Sequence, residues 1–264
     1  MKQILTIAGS DSGGGAGIQA DIKSIAANGA YAMTAITSIT AQNTTGVTAV
    51  YDLPLSIIEA QLQAIFDDFD VAAVKTGMLS SADIVQLVGR TLATRQVPFL
   101  VVDPVMVAKS GQALLKPEAV GRLISVLLPL AYVVTPNIPE AERLAGMTIT
   151  TVAEARQAAK IIHKLGCRHV LIKGGHLLAE RGTDLLYDGK FFNVYKGAFI
   201  DTPHTHGTGC TYASAIAAQL ARGKALPDAV QTAKTYITEA IRHGLAMGHG
   251  KGPTNHFYFL PDSA

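Results

Sequence analysis

Short apolar runs rich in Val and Ile alternate with longer stretches of helical period along most of this chain, and that alternation constrains the fold most. The runs cover residues 4–8, 32–40, 71–75, 99–103, 132–135 and 170–173. The segments between them have readable ends. Pro54 opens one carrying Ile57, Ile58, Leu62, Ile65 and Phe66, while Ser80 with Asp83 reads as a capping box before Ile84, Leu87 and Val88. Pro117 starts a helix that Pro129 stops, and Thr151 with Glu154 forms a second box ahead of a helix ending near Gly166. Two further helices, 210–221 and 227–245, fill the last quarter. Such a pattern means βαβ units, hence an α/β fold with a mostly parallel central sheet and helices on both faces. Residues 184–187 and 191–195, joined across Asp188-Gly189-Lys190, read as a hairpin on the flank of that sheet. Residues 44–52 fit a small β flap over a substrate, and an edge strand explains them nearly as well. With no Pro/Ser-rich linker, repeat or low-complexity tract, residues 1–264 read as a single domain.

Composition removes several classes of function. Forty-eight per cent apolar and 16% charged residues exclude a disordered or acidic-tail protein, since an average soluble domain carries about 25% charge. Lys and Arg number 22 against 20 Asp and Glu, and a formal charge of +2 is too small for a dedicated nucleic-acid binder. Cys167 and Cys210 stand too far apart, in too long a chain, to suggest a disulfide framework, which points to a reducing compartment. Met1-Lys2-Gln3 leads into a strand-like run and not into a signal peptide. The longest greasy stretch, 123–134, is broken by Pro129 and falls short of the ~18 residues of a membrane span. The expectation is a soluble, cytoplasmic protein with neither membrane nor nucleic acid as partner.

Ligands of open α/β sheets bind at the carboxyl ends of the strands, and here those ends are polar. After the first run comes Gly9-Ser10-Asp11-Ser12-Gly13-Gly14-Gly15-Ala16-Gly17. The third ends in Lys75-Thr76-Gly77-Met78, the fourth in Asp103-Pro104-Val105-Met106, the fifth in Thr135-Pro136-Asn137-Ile138-Pro139-Glu140, and the sixth in Lys173-Gly174-Gly175-His176. One polar strand end would be chance; five on one sheet edge make a site.

Gly15-Ala16-Gly17-Ile18-Gln19-Ala20 matches the dinucleotide pattern G-x-G-x-x-A, yet argues weakly for NAD. Its first glycine falls seven residues past the strand, and the second strand ends in Gln42-Asn43 where a ribose would need an acid. Turns of positive φ account for several of these glycines. A Walker A motif is missing, because Ala108 precedes Lys109-Ser110 where glycine is required, and there is no G-x-S-x-G elbow. More informative is His204-Thr205-His206-Gly207-Thr208-Gly209-Cys210, which runs straight into a helix. Small residues there let backbone N–H groups converge on an anion, and the helix N-terminus adds positive potential. The same field is expected to lower the pKa of the Cys210 thiol. Asp21 sits on the flank of the Ile18, Ile22 and Ile25 stripe, so it is either a solvated edge charge or a group facing ligand. The eight histidines carry no zinc signature, and Mg²⁺ held through phosphates is the better-matched ion.

Taken in order, these pieces resemble the ribokinase-like superfamily, and more closely the bacterial hydroxymethylpyrimidine/phosphomethylpyrimidine kinases of thiamine biosynthesis. Ala41-Gln42-Asn43-Thr44 belongs to the set, and Gly248-His249-Gly250-Lys251-Gly252-Pro253 extends it beyond residues 7–210. Each piece is weak alone and the ordered set is specific. The resemblance implies a ribokinase-like three-layer sandwich and ATP- and Mg²⁺-dependent phosphorylation of 4-amino-5-hydroxymethyl-2-methylpyrimidine, then of its monophosphate. It further implies that Gly9, Ala16, Gln42, Met78 and Val105 surround the pyrimidine, and Asp21, one turn inside the glycine-rich entry loop, is added to them as a candidate substrate contact. The Gln42 amide suits an aminopyrimidine edge because it both donates and accepts. Asn137 and Glu140 are expected near Mg²⁺, Asp103, Asn137, Lys173 and Thr208 near the phosphates, and Lys173 near the transferring group. Cys210 takes the place of the catalytic Asp of the sugar kinases, there to deprotonate or orient the hydroxyl, while the amides of Gly207, Thr208, Gly209 and Cys210 stabilise developing charge. The likeness also suggests a homodimer.

The nearest rival is a pyridoxal or pyridoxine kinase of the same superfamily. A non-catalytic nucleotide-binding regulator would have lost the catalytic set, whereas Lys173, Asn137, Glu140 and Cys210 are all present. A Cys-nucleophile hydrolase would turn over without ATP.

Overall fold

The computed structural model describes residues 1–107, 116–175 and 181–261. Its strands are β1 (Gln3–Asp11), β2 (Tyr31–Gln42), β3 (Val47–Asp52), β4 (Val71–Thr76), β5 (Leu100–Val102), β6 (Val133–Val134), β7 (Val170–Ile172), β8 (Thr183–Tyr187) and β9 (Phe192–Lys196). They form one sheet in the order β3-β2-β1-β4-β5-β6-β7-β8-β9. The six strands from β2 to β7 are parallel. The edge strand β3 and the β8–β9 hairpin run antiparallel, so residues 47–52 belong to the sheet as its edge.

Eight α-helices cover the sheet among the described residues: α1 (Gly17–Ala27), α2 (Leu55–Asp68), α3 (Ala82–Thr94), α4 (Pro117–Arg122), α5 (Ile138–Ala145), α6 (Val152–His163), α7 (Thr208–Ala221) and α8 (Leu226–Arg242). Successive strand residues point to opposite faces, and the two cores show it. Leu5, Val74, Val102, Val134 and Ile172 pack against α2 to α6. Their neighbours Ile4, Ala73, Val101, Val133 and Leu171 pack against α1, α7 and α8. Both faces are covered, which is why the parallel strands read as nearly continuous apolar runs.

Local signals set most element ends. Thr151 and Glu154 make the reciprocal capping box expected of them. Before α3 the cap is Ser81, whose side chain accepts from the Ile84 amide; Ser80 is a residue too early and instead donates to the Asp52 carboxylate at 2.5 Å. The helix begun at Pro117 keeps α geometry only to Arg122, then widens to a π turn over Leu123–Leu127 and tightens over Leu128–Leu130 around Pro129. Helix α5 had no counterpart in the sequence reading. Ala108, Lys109, Ser110 and His176 lie outside the described residues.

The chain leaves β1 toward β2 on one side and resumes at β4 on the other. A crevice therefore opens at the carboxyl ends of β1 and β4, where open α/β sheets hold their ligands.

Candidate active site

A cavity of about 240 Å³ fills that crevice. Gly9 and Ala16 line it from the end of β1 and the loop after it, Gln42 from β2, and Met78, Val105 and Val107 from the ends of β4 and β5. Asp103, Asn137, Glu140, Lys173 and Gly175 line its other side, with Gly207, Thr208, Gly209 and Cys210 at the tip of α7. All but one of the site residues expected from sequence thus share one space.

The exception is Asp21. Its side chain has no exposure and points away from the cavity wall into the layer between the sheet and α7. Lys75 Nζ donates to both of its carboxylate oxygens at 2.8 Å, Thr6 Oγ1 donates to Oδ2 at 2.6 Å, and Ser214 Oγ donates to Oδ1 at 2.8 Å. Neither an edge charge nor a ligand contact describes it: α1 is covered by sheet and by α7, so the flank of its stripe is interior.

The tip of α7 is built for an anion. Its N-cap, Gly207, stands at φ +79°, a left-handed conformation, and a Cβ there would collide with the Gly15 carbonyl. No side chain caps the helix and no acid occupies its first turn. The first intrahelical bond is made by the Thr211 amide to the Gly207 carbonyl at 2.9 Å, so the Gly209 and Cys210 amides precede it.

The Cys210 thiol, contrary to the helix-field argument, is pushed up to about 12. Burial is the largest cause; the Lys75 cation opposes it, the Asp21 and Asp103 carboxylates add to it, and the Gly17 amide opposes it. Burial disfavours the thiolate, so the Cys210 pKa lies above its ordinary value and not below it as the helix field alone suggests.

Beside that helix tip, next to Gly209, Lys173 Nζ donates to Asp103 Oδ1 at 2.9 Å. Burial works against the Lys173 cation, but Asp103 and Glu140 more than offset it and its pKa is raised. Asn137 and Glu140 close a reciprocal capping box at the start of α5: the Asn137 amide donates to Glu140 Oε2 at 2.8 Å and the Glu140 amide to Asn137 Oδ1 at 3.0 Å. Burial, and after it the Asp103 charge, lifts Glu140 to about 7 against the pull of Lys173 and the Asn137 amide. These are hard oxygen donors with lone pairs to spare. Among the described residues no group of three or more His, Cys, Asp or Glu forms a metal cage. The set therefore fits Mg²⁺ shared with phosphates and water, and not an all-protein site.

Sequence reasoning passed over Asp11 and His206 as site residues. Asp11 is buried, and its carboxylate accepts the amides of Gly13, Gly15 and Ala16. It also takes His206 Nε2 at 2.8 Å. Burial raises its pKa, but the His206 contact and the amides of Ala16 and Gly13 prevail and leave it lowered. The clue lay in the loop itself, where consecutive amides lacking useful side chains need an acceptor and Asp11 is its one acid. The glycine-rich C-terminal segment backs the same residue: His206 donates its amide to the Gly252 carbonyl and accepts from the Thr254 amide.

Comparison with known proteins follows the same lines. A family model described as phosphomethylpyrimidine kinase matches residues 11–255. The hydroxymethylpyrimidine/phosphomethylpyrimidine kinase of Haemophilus influenzae is 51% identical over 264 residues, which span 98% of this chain and 98% of that one. An ADP complex of Bacillus subtilis pyridoxal kinase superposes with a TM-score of 0.92 at 44% identity, covering 98% of each chain. The phosphomethylpyrimidine kinase of Clostridium difficile superposes with a TM-score of 0.82 at 49% identity, covering 91% of this chain and 100% of that one.

Proposed function

The chain belongs to the phosphomethylpyrimidine kinase family, and on that premise we propose that residues 1–264 form one ATP-dependent kinase domain of thiamine diphosphate biosynthesis. It phosphorylates 4-amino-5-hydroxymethyl-2-methylpyrimidine at its alcohol, then the monophosphate to the diphosphate. The observation that carries this reading is that Gln42, Met78 and Val105 share one cavity with the uncapped tip of α7.

In this reading Met78 and Val105 hold the ring between apolar faces, with Gly9 and Ala16 leaving room for it, and Gln42 meets its polar edge. The amides of Gly207, Gly209 and Cys210 receive the terminal phosphate, whereas the Thr208 amide and hydroxyl donate to the Thr205 carbonyl and hold the loop. Lys173, exchanging Asp103 for phosphate oxygens, follows the charge of the transferring group. Glu140 and Asn137, with Asp103 nearby, would hold Mg²⁺ partly through water, and that ion when bound offsets phosphate charge. Phosphoryl transfer passes through a loose transition state, so position and electrostatics matter more than base strength. Cys210, protonated at neutral pH, accordingly orients the attacking hydroxyl and does not ionise it beforehand. In the second step the acceptor is already an ionised phosphate and needs less of this help.

Two free cysteines fit a reducing, cytoplasmic setting, and no helix among the described residues is long and apolar enough to cross a membrane. The working unit in this reading is a homodimer, which sedimentation would show. The likeness to a pyridoxal kinase supports a second reading, a side activity on vitamin B6. ADP release measured with hydroxymethylpyrimidine, its monophosphate, pyridoxal or no acceptor, together with loss of each compound when ATP is left out, separates the readings. Turnover of the first two supports the main one, turnover of pyridoxal alone replaces it, and turnover without ATP removes kinase chemistry altogether.

A further inference from the structure

Gln42 reaches the cavity with its backbone clamped, for its amide donates to Ser12 Oγ at 2.8 Å and its carbonyl accepts from the same hydroxyl at 2.6 Å. Its side-chain amide lies between two neighbours, Nε2 at 3.4 Å from His206 Nε2 and Oε1 at 3.2 Å from Thr40 Oγ1. Proton counting settles which way that amide must face. Asp11, an ionised acceptor, faces His206 Nε2 at 2.8 Å, so Nε2 carries a proton whether the imidazole is neutral or charged. A second donor, the Gln42 NH₂, cannot also donate to that nitrogen. On the other side the single Thr40 proton is spent on the Ser10 carbonyl at 2.7 Å, so Thr40 can only accept. A half-turn about the Gln42 Cγ–Cδ bond, which exchanges oxygen and nitrogen at nearly the same positions, removes both conflicts. Oε1 then shares His206 Nε2–H with Asp11 as the longer arm of a three-centre bond, at 3.4 Å against 2.8 Å, and Nε2 donates to Thr40.

We propose that Asp11, through His206, and Ser10, through Thr40, lock the Gln42 amide in one orientation, and that this lock makes the site select a 4-aminopyrimidine over its 4-oxo counterpart. This rests on the pyrimidine kinase reading and deepens it. The locked amide keeps one lone pair on oxygen and one N–H for the ligand, in fixed order. An amidine edge, with ring nitrogen accepting beside an amino donor, matches that order. A lactam edge, with ring N–H donating beside a carbonyl, has it reversed. An amide free to turn would serve both edges equally, so Gln42 alone confers no such preference. With the ring held in one pose between Met78 and Val105, the reversed edge meets lone pair with lone pair and N–H with N–H. His206 and Thr40 act here as positioning residues.

Two measurements test the lock. The first compares kcat/KM for the 4-amino substrate and its 4-oxo analogue in the wild type, His206→Phe and Thr40→Val. The wild type is expected to prefer the amino compound by about 100-fold or more, and each variant to narrow that ratio by about tenfold, the value of one hydrogen bond in a closed site. A merely structural role would lower both substrates together, and an unchanged ratio in a folded variant overturns the lock. Thr40→Val, the smaller change, serves should His206→Phe not fold. The second is ¹⁵N NMR of the wild-type imidazole, which needs no substrate. A proton on His206 Nε2 is expected, and a bare Nε2 overturns the proposal. Should the wild type phosphorylate neither pyrimidine, the functional reading fails, while the spectrum still decides the lock.

Discussion

Replacing Lys75 by Met tests whether the fully buried Asp21–Lys75 pair supports the floor of the site. Both side chains have no exposure, and the Asp21 carboxylate would keep only Thr6 and Ser214 as donors. Removing one partner of such a pair leaves an uncompensated interior charge and costs about 3–5 kcal/mol. That is a large share of the ~5–15 kcal/mol by which domains are stable. With a urea slope of about 3 kcal/mol/M, the unfolding midpoint should fall by about 1–1.7 M. Asp21→Asn should cost a similar amount, because the cation then loses its partner. The double variant removes both charges and keeps an amide oxygen for one of the two hydroxyls, while the other can turn to accept from the new NH₂, so it should lie within about 2 kcal/mol of the wild type, giving strong non-additivity in the cycle. Burial lowers the Lys75 pKa, but the charge and hydrogen bond of Asp21 together with the other charges around it, Asp103 among them, prevail and leave it raised. Its contribution is therefore complete below the ordinary value of 10.5 and fades only as pH rises through the still higher folded value, so the loss should be constant around neutral pH. Urea melts followed by circular dichroism provide the assay. Additive losses, or a Lys75→Met cost under about 1 kcal/mol, would refute a buried pair of this kind.

Cys210→Ala should slow phosphorylation of the alcohol by about 10–100-fold while changing that of the monophosphate by less than about threefold, since only the alcohol needs orienting; equal losses would contradict that role. Iodoacetamide should label Cys210 slowly at pH 7 in the free enzyme, as befits a thiol pushed up to about 12, and fast labelling would show an ionised cysteine. Glu140, lifted from 4.5 to about 7, contributes stability that is complete below 4.5 and lost as pH rises through 7. Glu140→Gln should therefore be more stable than the wild type at pH 8 by about 1–3 kcal/mol, with no gain at pH 4; stability curves that stay parallel over this range would count against it.

What was legible in the sequence follows from what each signal encodes. Periodicity in the Val- and Ile-rich runs records burial on two faces, and it placed every parallel strand, although β6 keeps only two residues of its run. Strand ends are read from the residues themselves, so the cavity wall could be assembled from separate loops. Asn137 and Glu140 were legible through the family resemblance, but their spacing is that of a capping box, and the helix it starts went unread. Asp21 and Lys75 are 54 residues apart, and nothing local says that two charges meet in the interior. For Cys210 the helix terminus was visible and the burial was not, and burial decides the thiol. His206 was quoted within a glycine motif, yet its partner Asp11 comes from the other end of the chain.

The most direct test of the whole account is a crystal structure of the enzyme with a non-hydrolysable ATP analogue and hydroxymethylpyrimidine bound together. The account predicts the γ-phosphate against the Gly209 and Cys210 amides and the pyrimidine's hydroxyl oxygen about 3–3.5 Å from phosphorus, in line with the bond to be broken. A hydroxymethyl group turned away from α7, or a nucleotide whose terminal phosphate does not reach that helix, would contradict it.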